Sequence, residues 1–199
     1  IGDRIVISED RRTDYAEKVV YLPDTFQPND SEKRIAAHTP TRTEAGLPEH
    51  GFVFCSFNNT YKITPAVFDV WMRLLRRIDA SVLWLQQSNE TAVKNLRLAA
   101  EDKGVAAARL IFAPRTDLLE DHLARFRLAD LFLDTLPYNA HATASDALWA
   151  GVPVLTRIGT AYAGRVAASL LTAVGLPELI TNSPEDYEAL ALKLATNAE

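Results

Sequence analysis

Polar side chains crowd one short stretch of the chain, between the apolar segments 129–135 and 153–156. In chain order they are Asn139, His141, Thr143, Ser145 and Asp146. They surround the start of a predicted helix, 143–150, whose first backbone N–H groups have no partner inside the helix. Such groups, with the positive end of the helix dipole, favour a bound anion by about 0.3–2 kcal/mol. The stretch therefore predicts a phosphate-binding loop, in which Asp146 could accept a hydrogen bond from a ribose hydroxyl.

The same residues also allow a simpler interpretation, a capped helix that binds nothing. Thr143 to Asp146 resembles a capping box, in which a Thr hydroxyl and an acidic side chain satisfy the free N–H groups. Asp146 could hardly serve as a cap and as a ribose acceptor at once. The small residues Ala140, Ala142 and Ala144 would let a phosphate approach the backbone. The local pattern leaves both interpretations open.

His122 and Arg125 form a second candidate group. They are three residues apart in a predicted helix, so they share one face. A flat imidazole beside a guanidinium is suited to stacking on a nucleobase and hydrogen bonding to it. The alternative is a solvated helix face, because charged residues flank the pair at Glu120, Asp121 and Arg127.

Lys62 is the third candidate, in the segment FNNTYK that follows the first apolar run. A lysine there would direct a point charge toward the same crevice. The alternative is an ordinary exposed lysine ahead of a helix.

The elements that must position these residues alternate along the chain. Apolar strand-like runs are found at 53–57, 81–86, 109–114, 129–135 and 153–156, and helical patterns at 63–78, 89–103, 118–127, 143–150, 161–174 and 184–197. Continuous apolar strands separated by helices indicate a parallel sheet covered on both faces, a doubly wound, Rossmann-like α/β fold. Ligands bind such sheets at the carboxyl ends of the strands. Four polar loops fall at that edge: Asn58–Lys62, Arg115–His122, Thr135–Thr143 and Arg157–Thr160.

Residues 1–50 have a different character. DRIVIS predicts one strand, KVVYLP is another short apolar segment, and 27–50 is a polar connector with three prolines. We expect residues 1–50 to be the tail of a preceding lobe and a linker, and residues 51–199 to form the Rossmann-like lobe.

Composition excludes several classes of protein. The net charge of −5 and the pI near 5.4 argue against binding of nucleic acid or of anionic membranes. No apolar stretch approaches the ~20 residues of a membrane span. The single cysteine, Cys55, allows no intrachain disulfide, which fits a cytoplasmic location. We expect Cys55 to be a core residue.

Several catalytic motifs are missing from the chain. It contains no G-x-G-x-x-G, P-loop, H-E-x-x-H, C-x-x-C or G-x-S-x-G motif. It also lacks an Asp-x-Asp pair, the simplest way to hold a diphosphate through a divalent metal. Without a metal, the charge of a leaving diphosphate would have to be stabilised by Lys62, His141 and helix N–H groups.

Three separated motifs, in the same order, resemble the C-terminal catalytic lobe of O-GlcNAc transferases. They are FCSFNNTYKITP, RLIFAP…EDHLARFRLADLFLDT and LPYNAHATASDALWAGVPVLT…GRVAASLL. These enzymes form glycosyltransferase family 41, with the Spindly-type enzymes, and the similarity spans about residues 50–197. The resemblance implies a GT-B fold, with the donor nucleotide in the C-terminal lobe. It also implies inverting transfer of N-acetylglucosamine from UDP-GlcNAc to Ser or Thr of proteins, without a metal or other cofactor.

The resemblance also assigns site residues. Lys62 matches the catalytic lysine that neutralises the leaving diphosphate, and Asn59 lies where animal enzymes have a glutamine that contacts the donor. His122 matches the residue that stacks on uracil, and Arg125 the one that hydrogen-bonds it.

The phosphate loop of the family is matched by His141, Ala142 and Thr143, and its ribose-binding aspartate by Asp146. Two departures stand out. Ala142 lacks the hydroxyl of the family threonine, although it keeps the backbone N–H. The lysine that contacts the ribose has no clear equivalent, and Leu119 is the nearest position.

Three alternatives remain open from the sequence. A GDP-sugar could be the donor, as in the Spindly branch. A GT-B-like sugar-nucleotide epimerase would need acid/base carboxylates, for which Asp134 and Asp146 are the nearby candidates. A noncatalytic interaction module could keep the sheet and lose the donor.

The resemblance further implies a longer, bacterial parent protein. In it, tetratricopeptide repeats and an N-terminal lobe would present the acceptor protein. For these 199 residues alone we expect donor binding with little or no transferase activity.

Overall fold

The structure is a computed structural model that describes residues 1–196. Its central feature is a six-stranded parallel sheet with the strand order β3-β2-β1-β4-β5-β6. The strands are β1 (Val53–Ser56), β2 (Val82–Gln86), β3 (Leu110–Ala113), β4 (Leu131–Leu133), β5 (Val154–Arg157) and β6 (Ile180–Thr181). The order reverses between β1 and β4, which is where doubly wound sheets open a ligand crevice. The predicted fold class is confirmed, and β6 is a strand that the sequence pattern did not reveal.

Helices connect the strands and cover both faces of the sheet. They are α1 (Pro65–Arg77), α2 (Glu90–Asp102), α3 (Leu119–Arg125), α4 (Ala142–Trp149), α5 (Val166–Ala173) and α6 (Pro184–Thr196). Residue 197 of the predicted last helix lies outside the described residues. The predicted helix 161–174 starts later, at Val166, because residues 162–164 form a separate 3-10 turn. None of the helices within residues 1–196 is long and apolar enough to cross a membrane.

Local signals position α1 next to the ligand edge. The hydroxyl of Thr64 accepts a hydrogen bond from the N–H of Val67 at 3.4 Å, and Pro65 occupies the first helical position. Both features are those predicted for a helix start. At the far end of α4, Gly151 has φ of +85°, the left-handed conformation that ends helices.

Two hydrophobic layers hold the sheet, one on each face. Adjacent residues of a strand point to opposite faces. Phe54 accordingly packs in the layer with α1 and α6, and Cys55 in the layer with α4 and α5. Cys55 is completely buried, and burial raises the pKa of its thiol. It is therefore a packing residue, as the sequence predicted.

The strand predicted for DRIVIS in the N-terminal segment is wrong. In DRIVIS, the Asp3 carboxylate accepts hydrogen bonds from the N–H groups of Ile5 (2.8 Å) and Val6 (2.9 Å), which bends the backbone into a turn. KVVYLP contributes only an isolated bridge from Tyr21 to Gly2. Val6 and Ile7 are nevertheless buried, in a small cluster that includes Val166 of α5.

Candidate functional site

Asn58, just beyond the end of β1, connects the loops at the predicted ligand edge of the sheet. Asn58 is buried, and its Nδ2 donates to Oγ1 of Thr135 at 2.9 Å. Its Oδ1 accepts from the hydroxyl of Thr143 at 2.7 Å. This one side chain therefore ties the loop after β1 to the loop after β4 and to the start of α4. Asn59, the residue predicted to contact a donor, is exposed on the neighbouring position.

Asp134 holds the loop after β4 from below. Its Oδ1 accepts from the N–H groups of Thr135 (2.7 Å) and Ala140 (2.6 Å), at the two ends of the loop. Its Oδ2 accepts from the hydroxyl of Thr156 on β5 at 2.6 Å. Burial raises the pKa of Asp134 to about 7. Because these bonds aim the carboxylate into the protein, Asp134 is poorly placed to act as the acid or base of an epimerase.

Lys62 also contacts the loop after β4. Its Nζ donates to the carbonyl of Asn139 at 2.8 Å and lies 4.1 Å from the centre of the Tyr138 ring. The side chain is half-buried, and burial lowers the pKa of Lys62 while the carboxylate of Asp134 opposes that change. Lys62 is thus directed into the crevice and is not the freely exposed lysine of the alternative interpretation.

The start of α4 lies beside Lys62. His141 occupies the N-cap position, and Ala142 and Thr143 are the first two helical residues, so the helix begins one residue earlier than predicted. The imidazole of His141 stacks on Tyr138 with centroids 4.9 Å apart, and its Nε2 lies 3.3 Å from the carbonyl of Ala163. Burial lowers the pKa of His141, which favours the neutral ring.

The capping-box interpretation of this helix is wrong. The N-cap residue makes no side-chain hydrogen bond to the helix. The Thr143 hydroxyl bonds to Asn58 instead, and the Asp146 carboxylate pairs with Lys33 at 2.8 Å. The N–H groups of the first turn therefore have no side-chain cap, the condition that an anion site at a helix start requires.

His122 and Arg125 are in contact, as their shared helix face predicted, but Arg125 makes its hydrogen bonds inside the protein. Its side chain is buried, so the solvated-face interpretation is wrong. Nη1 donates to the carbonyl of Pro114 at 2.6 Å, and Nη2 donates to Oε1 of Gln86 at 2.8 Å and to Nδ1 of His122 at 2.6 Å. The guanidinium also lies over the ring of Phe57, 4.6 Å from its centre. Gln86, at the end of β2, carried no signal in the sequence that would have singled it out.

The contact with Arg125 determines the tautomer and the charge of His122. Because arginine only donates, Nδ1 of His122 must accept and the ring proton lies on Nε2. Burial, and then the positive charge of Arg125, lower the pKa of His122 to about 4. The ring is therefore neutral at physiological pH and offers a flat face with one N–H donor.

An open cleft of about 410 Å³ adjoins this pair. The residues that line it include Arg125 and Trp84 and, from the loop after β3, Pro114 and Thr116. Within the described residues, Nε of Arg125 and Nε1 of Trp84 are buried N–H donors without a hydrogen-bond partner. Because both atoms are shielded from solvent, they are polar groups that the protein leaves unsatisfied in its interior.

The site combines the uncapped start of α4 with the neutral imidazole of His122, which lies next to the cleft lined by Arg125. Among residues 1–196, no group of three or more His, Cys, Asp or Glu side chains is arranged to hold a metal ion. The cation that lies at the start of α4 is Lys62.

Comparison with known proteins identifies the family. Residues 30–199 match glycosyl transferase family 41. The chain belongs to this family. It is 38% identical over 189 residues, 92% of its length, to a probable UDP-N-acetylglucosamine–peptide N-acetylglucosaminyltransferase of Arabidopsis thaliana. It is 34% identical over 202 residues, 99% of its length, to a probable enzyme of the same name, SPINDLY, of Oryza sativa subsp. japonica.

A solved structure of an O-GlcNAc transferase confirms the architecture. A variant of the Thermobaculum terrenum O-GlcNAc transferase superposes with a TM-score of 0.83 at 32% identity, covering 98% of this chain and 37% of that one. The chain spans only 19% and 21% of the lengths of its Arabidopsis and rice relatives. The predicted family and the GT-B C-terminal lobe are both confirmed.

Proposed function

We propose that this chain is the donor-binding C-terminal half of an inverting, metal-independent protein O-glycosyltransferase. The donor is UDP-GlcNAc and the acceptors are Ser and Thr hydroxyls of proteins. The observation that carries the proposal is the convergence of Lys62 and His141 on the uncapped first turn of α4. The names of the relatives, peptide N-acetylglucosaminyltransferases that use UDP-N-acetylglucosamine, support the same donor and acceptor.

The diphosphate is held at the start of α4 in this proposal. The N–H groups of the first turn, with Ala142 and Thr143 as its first residues, face an anion with the positive end of the helix dipole. Lys62 adds a full positive charge from the other side. When the acceptor hydroxyl attacks the anomeric carbon, the new C–O bond forms as the bond to the diphosphate breaks. The electron pair of the broken bond stays on the leaving oxygen, and the hydroxyl proton passes to water. Lys62 and the helix N–H groups stabilise that negative charge.

The nucleoside occupies the remaining part of the edge. The neutral ring of His122 stacks on the base, and Arg125, which lines the adjoining cleft, hydrogen-bonds it. Asp146, one turn into α4, accepts from the ribose. Asn59 lies on the exposed side of the β1 loop, where we propose that it contacts the sugar end of the donor.

The acceptor protein is bound outside this chain in the proposal. The relatives are about five times longer, and a preceding lobe with tetratricopeptide repeats in a bacterial, cytoplasmic parent would supply the acceptor surface. For this chain alone we propose nucleotide binding without efficient transfer.

Calorimetric titration with UDP, GDP and UDP-GlcNAc, in buffer containing EDTA, tests the proposal. We expect micromolar binding of UDP and UDP-GlcNAc and weaker binding of GDP. Preferential binding of GDP would replace the donor by a GDP-sugar. Absence of binding by all three nucleotides would contradict a donor site and favour a noncatalytic module.

A further inference from the structure

The polar connector is bound across the nucleotide edge. We call residues 29–39 the docked connector. Asn29 Oδ1 accepts from the hydroxyl of Ser145, and the indole N–H of Trp149 donates to the carbonyl of Lys33 at 3.1 Å. These contacts attach the docked connector to two successive turns of α4.

The other end of the docked connector is attached to α3 and the turn that follows it. The N–H of Ala36 donates to the carbonyl of Glu120 at 3.1 Å. Arg127 donates to the carbonyl of Ala36 (3.1 Å) and to the hydroxyl of Thr39 (3.0 Å). The docked connector therefore spans from the helix that carries His122 to the helix that carries Asp146.

Between these attachments, Lys33 forms an ion pair with Asp146. The Nζ–Oδ1 distance is 2.8 Å, and the side chains are only 17% and 13% exposed. The backbone of Lys33 is fixed separately, because its carbonyl accepts the hydrogen bond from the Trp149 indole. Shielding from water makes the charges of such a pair act more strongly on their surroundings than exposed charges would.

The ion pair changes the charge that α4 presents to an anion at its first turn. A nucleoside diphosphate brings negative charge to the first turn of the helix. The Asp146 carboxylate, four residues after the first helical residue Ala142, would repel that charge if it were unpaired. The positive charge of Lys33 offsets this repulsion, and the ion pair uses only Oδ1 of Asp146.

We propose that Lys33 is a specificity residue of the donor site. By pairing with Asp146 it offsets the charge of that carboxylate, so that a ribose acceptor can lie next to a diphosphate. This inference rests on the proposed nucleotide site. It predicts that Lys33 favours nucleoside diphosphates over the uncharged nucleoside, and it assigns to the connector a function beyond linking two lobes.

The test is a titration of the 199-residue chain with UDP, by calorimetry, and with uridine, by NMR. The variants are Lys33→Met, Asp146→Asn and the double variant, with the exposed Lys18→Met as a control of equal charge change. Circular dichroism and thermal unfolding establish that each variant is folded. If Lys33→Met fails to fold, Lys33→Gln takes its place.

We expect Lys33→Met to weaken UDP binding about tenfold, the order for one charge-assisted contact, and uridine binding less than twofold. The double variant should bind UDP more tightly than Lys33→Met, because the uncompensated carboxylate is gone. Lys18→Met should bind like the wild type.

Three outcomes would overturn the role of Lys33 while leaving the donor site intact. They are wild-type UDP affinity in Lys33→Met, an equal loss for UDP and uridine, and a double variant no tighter than Lys33→Met. A wild-type chain that binds neither ligand would instead reject the nucleotide site, and with it any role of Lys33 there.

Discussion

The guanidinium of Arg125 donates to Nδ1 of His122 at 2.6 Å, and this contact decides which face and which proton His122 presents to a ligand. The arginine is held by Gln86 and by the carbonyl of Pro114, so the imidazole has a fixed tautomer. In the proposed function, the base stacks on the ring of His122, which burial and Arg125 keep neutral and which Arg125 fixes in one orientation.

His122→Ala is expected to weaken UDP binding by about 1–3 kcal/mol, the range for loss of one base–aromatic stack. Calorimetric titration measures the change. His50→Ala, which removes an exposed imidazole, is the matched control and should bind like the wild type. Normal UDP affinity in His122→Ala would mean that the base lies elsewhere.

His122 should also make the stability of the protein depend on pH. Its pKa in the folded state is about 4, below the ordinary value of 6.5, so the unfolded chain takes up the proton more readily. The stabilisation associated with a neutral His122 is therefore complete above about pH 6.5 and is lost as the pH falls toward 4.

Urea unfolding at pH 7 and at pH 4.5 measures this effect. His122→Phe keeps an aromatic ring without a titrating group, so it should lose less stability between the two pH values than the wild type loses. An equal loss in both proteins would show that His122 is not the group responsible.

Lys62→Ala should weaken UDP binding and nearly abolish transfer in the complete protein. The substitution removes the positive charge that lies against the loop after β4, and the fold should persist because the side chain is only half-buried. Turnover of the full-length parent and thermal unfolding of the variant measure the two effects. Lys94→Ala, an exposed lysine on α2, is the control, and unchanged turnover in Lys62→Ala would remove Lys62 from the mechanism.

Asp134→Ala is expected to destabilise the fold by about 2–4 kcal/mol, because it leaves the buried N–H groups of Thr135 and Ala140 without an acceptor. Asp134→Asn should cost less, since its amide oxygen can still accept. Chemical denaturation compares both with Asp117→Ala, which changes an exposed carboxylate. A loss in Asp134→Ala no greater than that in Asp117→Ala would contradict the anchoring role.

EDTA should leave the transferase activity of the complete protein unchanged. In the proposed mechanism, the leaving diphosphate is stabilised by Lys62 and by the helix N–H groups. Initial rates with and without chelator, after dialysis, measure the effect. A sharp loss that added Mg²⁺ or Mn²⁺ restores would overturn the metal-free mechanism.

Local pattern alone was enough to predict the scaffold of the site. Continuous apolar runs indicated buried parallel strands. Thr64 with Pro65 marked the start of α1. Both signals are carried by residues that are close together in the sequence. The polar loop before α4 and the spacing of His122 and Arg125 likewise indicated where ligand chemistry would lie. The family followed from the order of three motifs, which is a property of the chain.

Tertiary structure decided which of these side chains meet. Asn58, and not its exposed neighbour Asn59, bonds to Thr143, because the path of the backbone beyond β1 turns only one of two identical side chains inward. Thr143 could not be distinguished from a helix cap until its partner, 85 residues away, was known.

The same holds for Lys33 and Asp146, which are 113 residues apart and meet only because the connector docks on α3 and α4. Local periodicity reports which face of an element is buried. It carries no information about the distant residue that a polar side chain on that face will bind, and in this protein those long-range pairs determine the charge and the shape of the site.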